Sequence, residues 1–497
     1  MAYDSVVIGS GIGGLYAASL LAKEGQKVLV LEKHAVPGGL LQCFKRRGET
    51  FPTGVHFIGG LAPGQMLWRY LKYAGVLEHA SFTRFDTGCF DEYSFPGFSA
   101  CVPQGYEAFE EKLASYFPDE RAAIKRFISD MRATCGRFAL YNLRPPAAGS
   151  READDQRSLK DYLDSITGNE RLKLVLAANN SLYGVRPDEC PCFLHFLVLD
   201  SFLQSAWKVD GGSSALTDAF LKALKARGAE LRTSAEVTEI CVENEGVSGV
   251  RLAGGEFIGA KQAVFTGHPK HLFGLIPPGI MRPAYKERLL SLEETMSLFG
   301  VCLLFKGRKS ALDSRNIYLF AGDDVTSCYG QRLSAPGAKT ELVFCSGSCD
   351  PGSPNGTATL LTPMAFSEVE RWKDSRLGAR PEAYLRMKED VAGKVLEFVK
   401  ARLPEVVKDA EVVSTFSPLT LRDYVLAWDG STYGVKKSVS QLRAAKIMPR
   451  TRLKGLFLAG QNIEMSGIVG TVIGSVSCCA EMLGGDYLLE KINRETL

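Results

Sequence analysis

Apolar and polar positions along this chain follow two periods, and the switches between them mark its elements. A continuous apolar run at 5–8 predicts a buried strand, positions 15–23 carry apolar residues at helical spacing, and 27–31 predicts a second buried strand. Phe109, Leu113 and Tyr116, then Ile124, Phe127, Ile128 and Met131, recur at helical spacing and are interrupted at Pro118. That pattern predicts two amphipathic helices within 106–142. The polar stretch 145–157, rich in proline and alanine, predicts a surface loop. Helical patterns follow at 159–166, 170–180 and 193–203, the first introduced by Ser158 with Asp161 three residues on, a helix-start signal. A helix at 215–226 gives way to β-type runs at 230–233, 237–242 and 247–252, the last turning through Gly254-Gly255 as a hairpin, and then at 262–266. Between about 275 and 440 the pattern predicts strands at 298–305 and 340–345 and a helix at 381–402, with no motif of chemistry. The chain closes with a buried strand running into Ala459-Gly460 and an apolar, small-residue helix at 468–483. No unit repeats at a period of 20–50 residues, which excludes a solenoid.

Composition narrows the function classes. At 497 residues and 45% hydrophobic content the chain can bury a large core in two or three domains. A net charge of +3 points to neither a nucleic-acid partner nor strong electrostatic membrane binding. Thirteen cysteines, an odd number without a disulfide-like framework, read as thiols of a reducing compartment. The first strand begins at about Tyr3, leaving no room for a signal peptide, and no uninterrupted apolar run reaches about 18 residues. The expectation is a cytoplasmic protein, compatible with peripheral contact at a membrane. No motif bears on oligomeric state.

The chemistry begins at Gly9-Ser10-Gly11-Ile12-Gly13-Gly14, a G-x-G-x-x-G loop between the first strand and its helix. Gly9 permits the tight turn, Gly11 lets backbone approach a pyrophosphate, and Gly14 lets helix and strand pack closely. The helix start offers free N–H groups to phosphate oxygens. Glu32, at the end of the second strand, stands where a carboxylate accepts from a ribose 2′-hydroxyl. Strand, loop, helix, strand and acid in this order make a dinucleotide site. Pro37-Gly38-Gly39 would let chain pass close to the same ligand, and Arg46-Arg47 either meets its diphosphate or is solvated. His268 with His271 and Cys190 with Cys192 supply two ligands each and no zinc pattern, so no metal is expected. No G-x-S-x-G elbow is present to support serine hydrolase chemistry.

Three separated blocks coincide with one layout. Residues 9–32 with Gly38-Gly39, the segment 209–269, and 455–483 resemble the FAD-binding parts of the flavoprotein superfamily of phytoene desaturases, carotenoid isomerases, amine oxidases and retinol saturases. Thr53-Gly54-Val55-His56-Phe57-Ile58-Gly59, Ala459-Gly460-Gln461-Asn462 and Ser466-Gly467-Ile468-Val469-Gly470 are similar to motifs of the retinol saturases. The resemblance implies an α/β fold: a Rossmann-like FAD-binding domain, its parallel sheet carrying a β-hairpin insertion, assembled from 1–80, 208–274 and 450–490. An α+β substrate domain, with a helical part that could face a membrane, would come from 81–207 and 275–449. It implies that Gly9, Ser10, Gly11, Gly13 and Gly14 hold the FAD pyrophosphate and Glu32 the adenosine ribose, with Lys33, Gly38, Gly39 and Leu40 alongside. Val237 would meet the adenine through its backbone, Gly460 and Gln461 the ribityl chain and phosphate, and Ile468 and Val469 the pyrimidine side of the isoalloxazine. There a helix start would stabilise negative charge. The chain departs from the pattern at Gln461, where many members have Asp, at Asn462, where saturases have Asp, and at Pro52, where the wider pattern has Asp.

The chemistry implied is oxidoreduction at C=C bonds of an apolar polyene or unsaturated lipid, retinol-like or carotenoid-like. In saturation, hydride from flavin N5 reaches one carbon and an acid protonates its neighbour. The candidate acids are His56, Tyr433 and Glu464, with His56 first because a histidine can donate near neutral pH. The apolar stretch 193–203, Trp207, Trp428 and the helices within 106–142 are candidates to line a substrate tunnel. The same layout admits carotenoid desaturases and isomerases, oxidases of amines or porphyrin-like substrates, and, without catalysis, lipid-binding modules of the GDP-dissociation-inhibitor type. No second complete G-x-G-x-x-G is present, so NAD(P)H would act only as a transient electron donor, or a partner would reduce the flavin.

Overall fold

Apolar, β-branched runs flanked by glycine turns form the first sheet of the computed structural model, which describes residues 2–144, 157–310, 312, 314–348 and 352–497. Tyr3–Ile8 lies between Val28–Leu31 and Phe257–Phe265, with Glu230–Arg232 beyond Val28–Leu31, all parallel. Val28–Leu31 is buried throughout, as a strand covered on both faces requires. The long strand Phe257–Phe265 serves two neighbourhoods. Its first half pairs antiparallel with Gly246–Leu252, which pairs in turn with Val237–Glu243, while its second half takes up Leu456–Leu458 in parallel. The expected turn through Gly254-Gly255 closes that hairpin. Helix Ile12–Lys23 packs between the sheet and helices Ser213–Ala226 and Gly467–Leu483.

The second sheet has seven strands in the order Glu411–Phe416, Ser297–Phe305, Gly356–Met364, Leu342–Ser348, Asn316–Phe320, Asp91–Phe95 and Phe98–Val102. It is antiparallel except where Asn316–Phe320 meets Asp91–Phe95. One face packs on helix Glu382–Arg402 through Val391, Val395 and Val399, which recur at i and i+4. The segments 106–137 and 159–204 form a helical layer, with helices Tyr106–Tyr116, Arg121–Arg137, Leu159–Ile166, Glu170–Ala177 and Cys192–Gln204. The Ser158 side chain accepts from Asp161 N at 3.1 Å, so the expected cap forms. The loop expected at 145–157 lies, apart from Arg157, outside the described residues.

Cys89 and Cys101 form a disulfide at the open end of the hairpin Asp91–Val102, which departs from the all-thiol expectation. The physical reason is register. Strand pairing sets the two Cα atoms 5.1 Å apart, a relation that spacing in the chain does not encode. Among the described residues no helix is long and apolar enough to cross a membrane.

Candidate active site

A cavity of about 730 Å³ opens at the carboxyl ends of the parallel strands and runs to the second sheet. Ile8, Leu31 and Phe265 end their strands at its wall, the edge at which open α/β sheets bind ligands. Gly9, Ser10, Gly11 and Gly13 line it, and helix Ile12–Lys23 starts there. Gly14 does not line it, which corrects the expected pyrophosphate contact. A Cβ on Gly14 would stand 2.0 Å from Gly9 O, so this glycine serves close packing of helix on turn. Gly38 is likewise one layer back, its N–H donating to Ser10 O at 3.1 Å, while Gly39 and Leu40 reach the wall.

Glu32 is buried at the same edge. Its carboxylate accepts from Ser10 N at 3.0 Å, Ser10 Oγ at 2.5 Å and His34 N at 2.9 Å. A carboxylate has about four acceptor sites, so one remains for a hydroxyl of a bound ligand. Val237 lines the cavity close by, as does Lys33, which pairs with Glu236 at 2.7 Å.

At the other end the turn 460–463 meets a strap of chain at 430–438. Gly460, Gln461 and Asn462 line the cavity. Asn462 Oδ1 accepts from Val435 N at 2.9 Å, and Lys437 Nζ donates to Asn462 O at 2.6 Å. Gly434 has φ +71°, and a Cβ there would lie 2.3 Å from Asn462 Oδ1, so only glycine lets strap and turn dock. On the strap's other side, Tyr433 N donates to Thr295 Oγ1 at 3.0 Å and Thr295 N to Gly434 O at 2.9 Å. Helix Gly467–Leu483 begins beside the turn, and Gly467, Ile468 and Val469 in its first turn line the cavity.

Between these ends lies an aromatic slot. Phe57 stacks on Phe202 at 4.5 Å and on Phe344 at 6.1 Å, and Phe344 meets the edge of His56 at 6.0 Å. Leu182, Val198, Leu342, Leu361 and Phe416 extend the apolar wall. His56 and Tyr433 both face this space, and neither the His56 ring nitrogens nor the Tyr433 hydroxyl has a hydrogen-bond partner among the described residues. Burial, with a smaller push from the Lys208 charge, lowers the His56 pKa to about 4. His56 is therefore neutral at pH 7, which corrects the picture of a protonated histidine ready to donate. Burial also pushes the Tyr433 hydroxyl up, so it keeps its proton. Glu464 is not in the slot: it accepts from Ser477 Oγ at 3.1 Å and pairs with Lys446 at 3.6 Å, away from the lining.

Val198, Ser201 and Phe202 bring helix Cys192–Gln204 to the wall as expected, but Trp207 and Trp428 do not line it, nor does any residue of 106–142. Trp207 is committed to a small sheet with Ile58 and Arg84. Trp428 packs on His268 and His271, with Lys270 Nζ 5.3 Å from its ring. Sequence reading missed Ser431 and Thr432, whose hydroxyls are buried without partners among the described residues where the strap lines the cavity. It also missed the buried group of His268, Lys270 and Glu294, in which Glu294 meets His268 Nε2 at 2.9 Å and Lys270 Nζ at 2.8 Å. No local pattern marks these residues, because the segments meet only in the fold.

The chain matches the flavin-containing amine oxidoreductase family over residues 12–482. It belongs to that family. Among curated relatives it is similar to all-trans-retinol 13,14-reductase of Rattus norvegicus, 27% identical over 97% of this chain and 85% of the relative. It is also similar to a chloroplastic prolycopene isomerase of Daucus carota, 26% identical over 98% and 81%. Among solved structures an oxidoreductase from Methanosarcina mazei superposes with a TM-score of 0.67 at 17% identity, covering 96% of this chain and 99% of that one, which carries the fold. The family makes this protein an FAD-dependent oxidoreductase. The residues present fit the cofactor: a glycine turn that leaves open space over Gly11, a carboxylate with one acceptor site left, two hydroxyls in the wall without partners among the described residues, and a helix start at the far end.

Proposed function

We propose that this oxidoreductase saturates a C=C bond in an apolar polyene or other long unsaturated lipid. The observation that carries the reading is the aromatic slot joined to the glycine cradle, in which the His56 ring nitrogens and the Tyr433 hydroxyl have no hydrogen-bond partner among the described residues. An apolar chain fits such walls, while an amine or a carboxylate would find no ion partner in the slot. The similarity to retinol reductases over nearly the whole chain supports the same substrate class.

In this reading Gly9, Ser10, Gly11 and Gly13 cradle the diphosphate of FAD, Glu32 takes a ribose hydroxyl, and the Val237 backbone meets the adenine. Lys33, Gly39 and Leu40 complete that end. Gly460 and Gln461 hold the ribityl chain, and Ile468 and Val469 meet the pyrimidine edge. When bound, FAD supplies the hydride chemistry. The chain's own residues exclude water, offer a planar polyene the wall built by the stacked rings of Phe57, Phe202 and Phe344, and deliver the proton. His56 N–H and Tyr433 O–H are the two groups that can give it, each from its neutral form, and paired variants assign the donor. Tyr433→Phe or His56→Gln, whichever removes the donor, will lower turnover at least a hundredfold with FAD still bound. Full activity in both variants would refute a proton donor in this slot.

Isomerisation is the second reading, favoured by the similarity to prolycopene isomerases, and it needs no net proton. Anaerobic incubation of the reduced protein with retinol, carotenes and unsaturated fatty acids separates the two. A product heavier by two hydrogens marks saturation; unchanged mass with altered retention marks isomerisation. Hydrogen peroxide formed with an amine substrate would replace both readings by an amine oxidase. NAD(P)H is proposed as a transient donor, tested by whether it bleaches the bound flavin.

A further inference from the structure

Lys437 is a buried cation that the chemistry above does not use. It is 6% exposed. Its Nζ donates to two carbonyls, Asn462 O at 2.6 Å and Ile463 O at 3.4 Å, and has no carboxylate partner among the described residues. Buried Lys270, by contrast, is paired with Glu294 at 2.8 Å. Taking an ammonium out of water without a counter-ion is costly, so a fold that keeps one there places it where negative charge arrives. The neighbouring charges do not neutralise it: Glu464 and Glu294 attract it from a distance, Glu464 is engaged by Lys446 and Glu294 by Lys270, and Lys446 opposes. The carbonyls it holds belong to the turn whose Asn462 lines the cavity, beside the start of helix Gly467–Leu483. A helix start and a full positive charge thus act on the same end of the cavity.

We propose that Lys437 is the counter-charge that raises the reduction potential of the bound flavin, acting through the turn 460–463. The inference rests on the proposed location of the isoalloxazine edge at Gly460 to Val469. Charge near that edge is one of the ways a protein tunes this cofactor. Lys437 touches no substrate and is a positioning residue. Burial holds the pKa of its ammonium down to about 8, so the charge is present at pH 7 and titrates within a measurable range.

The test is the midpoint potential of the FAD-loaded protein, measured anaerobically by dye equilibration, in the parent, Lys437→Gln and Lys437→Arg. Glutamine keeps a donor to Asn462 O and removes the charge. It should shift the reduced-to-oxidised ratio at least tenfold toward oxidised, about 30 mV for a two-electron couple, while arginine restores most of the shift. FAD affinity and the melting temperature of the FAD-free protein report any merely structural effect. An unchanged potential in Lys437→Gln overturns the proposal. Should that variant not fold, the parent alone decides. From about pH 8 to the higher pKa that the reduced flavin gives Lys437, about one unit above for a tenfold effect, reduction brings a proton onto the ammonium and adds about 30 mV of fall per pH unit, and the absence of that added slope overturns the proposal. Ile468→Trp separates the two levels of inference. If tryptophan there leaves bound-flavin fluorescence unquenched, the proposed location of the isoalloxazine is wrong; quenching together with an unchanged potential in Lys437→Gln removes Lys437 alone.

Discussion

Two alanine substitutions three residues apart, at the start of helix Ile12–Lys23, should have opposite effects, and the contrast tests whether the glycine cradle holds the cofactor. Gly11 has ordinary backbone angles, φ −60° and ψ 169°, and a Cβ there would meet nothing within 4 Å because it projects into the cavity. Gly11→Ala should leave the FAD-free protein as stable as the parent, or more so by about 0.4–1 kcal/mol from the stiffer unfolded chain. A cofactor diphosphate passing over that backbone would lose its close approach, and FAD affinity should fall at least tenfold, about 1.4 kcal/mol. Gly14 is the reverse. Its Cβ would stand 2.0 Å from Gly9 O, which is 1.4 Å short of the 3.4 Å at which ordinary contact begins. Both atoms are backbone-borne, so no rotamer change relieves the overlap. Helix Ile12–Lys23 must shift against strand Tyr3–Ile8, at a cost of about 1–3 kcal/mol or more. Denaturant unfolding of the FAD-free protein gives the stability change, and titration of flavin fluorescence gives the affinity. Unchanged FAD affinity in Gly11→Ala would show that the diphosphate does not cross this turn. An unchanged midpoint in Gly14→Ala would refute the packing argument.

Asn462→Leu removes the acceptor of Val435 N–H in a buried setting and should cost about 1–3 kcal/mol in thermal unfolding, whereas Asn462→Asp, which keeps an acceptor, should fold normally. Equal loss in both variants would mean that shape, not the hydrogen bond, joins strap and turn. His56 and His195, held by burial to about 4 and about 3, refuse protons that the unfolded chain accepts below about 6.5. The stability they contribute is complete above about pH 6.5 and is lost as pH falls from there to about 4 for His56 and about 3 for His195. Asp91, pushed by burial up to about 7, acts in the opposite sense, so the test is a difference: on acidification His56→Gln should lose stability less steeply than the parent, by about 1.4 kcal/mol per pH unit. Parallel pH profiles would place a charged ring at His56. Reducing the Cys89–Cys101 disulfide, whose residues are 12 apart in the chain, should lower stability by about 3 kcal/mol in urea unfolding with and without dithiothreitol. Coincident curves would mean that the pair is not bonded.

Elements whose partners are near in sequence, or whose pattern is strongly periodic, were legible from the chain. Helices at 159–166 and 382–402 and the meander from 237 to 265 match their patterns closely. The strands Asp91–Phe95, Asn316–Phe320, Gly356–Met364 and Glu411–Phe416 were not anticipated. Asn316–Phe320 pairs with Asp91–Phe95 and Glu411–Phe416 with Ser297–Phe305, across more than 100 residues, while Asp91–Phe95 also forms a tight hairpin with Phe98–Val102 that was equally missed; short strands take their stability from packing more than from local preference. The same division runs through the site. The glycine loop at 9–14 and the acid at 32 are visible in sequence as a spaced motif, although only Gly9, at φ +104°, is required by the turn itself, while Gly13 is held small by Gly460 and Thr471 from the far end of the chain. Among Tyr433, His56 and Glu464 the sequence favoured His56 as an acid titrating near neutral pH, and burial and position changed that ranking.

By itself, then, the sequence determined a dinucleotide fold and one end of its cofactor site, since backbone conformation at a turn allows few residue types. Tertiary structure decided the chemistry end. It set Phe57, Phe202 and Phe344 face to face across more than 280 positions of chain, made His56 neutral, sent Glu464 to Ser477 and Lys446, and left Lys437 charged behind the turn at Asn462. Those outcomes depend on desolvation and on which remote segments dock, and neither quantity is carried by a residue's chain neighbours.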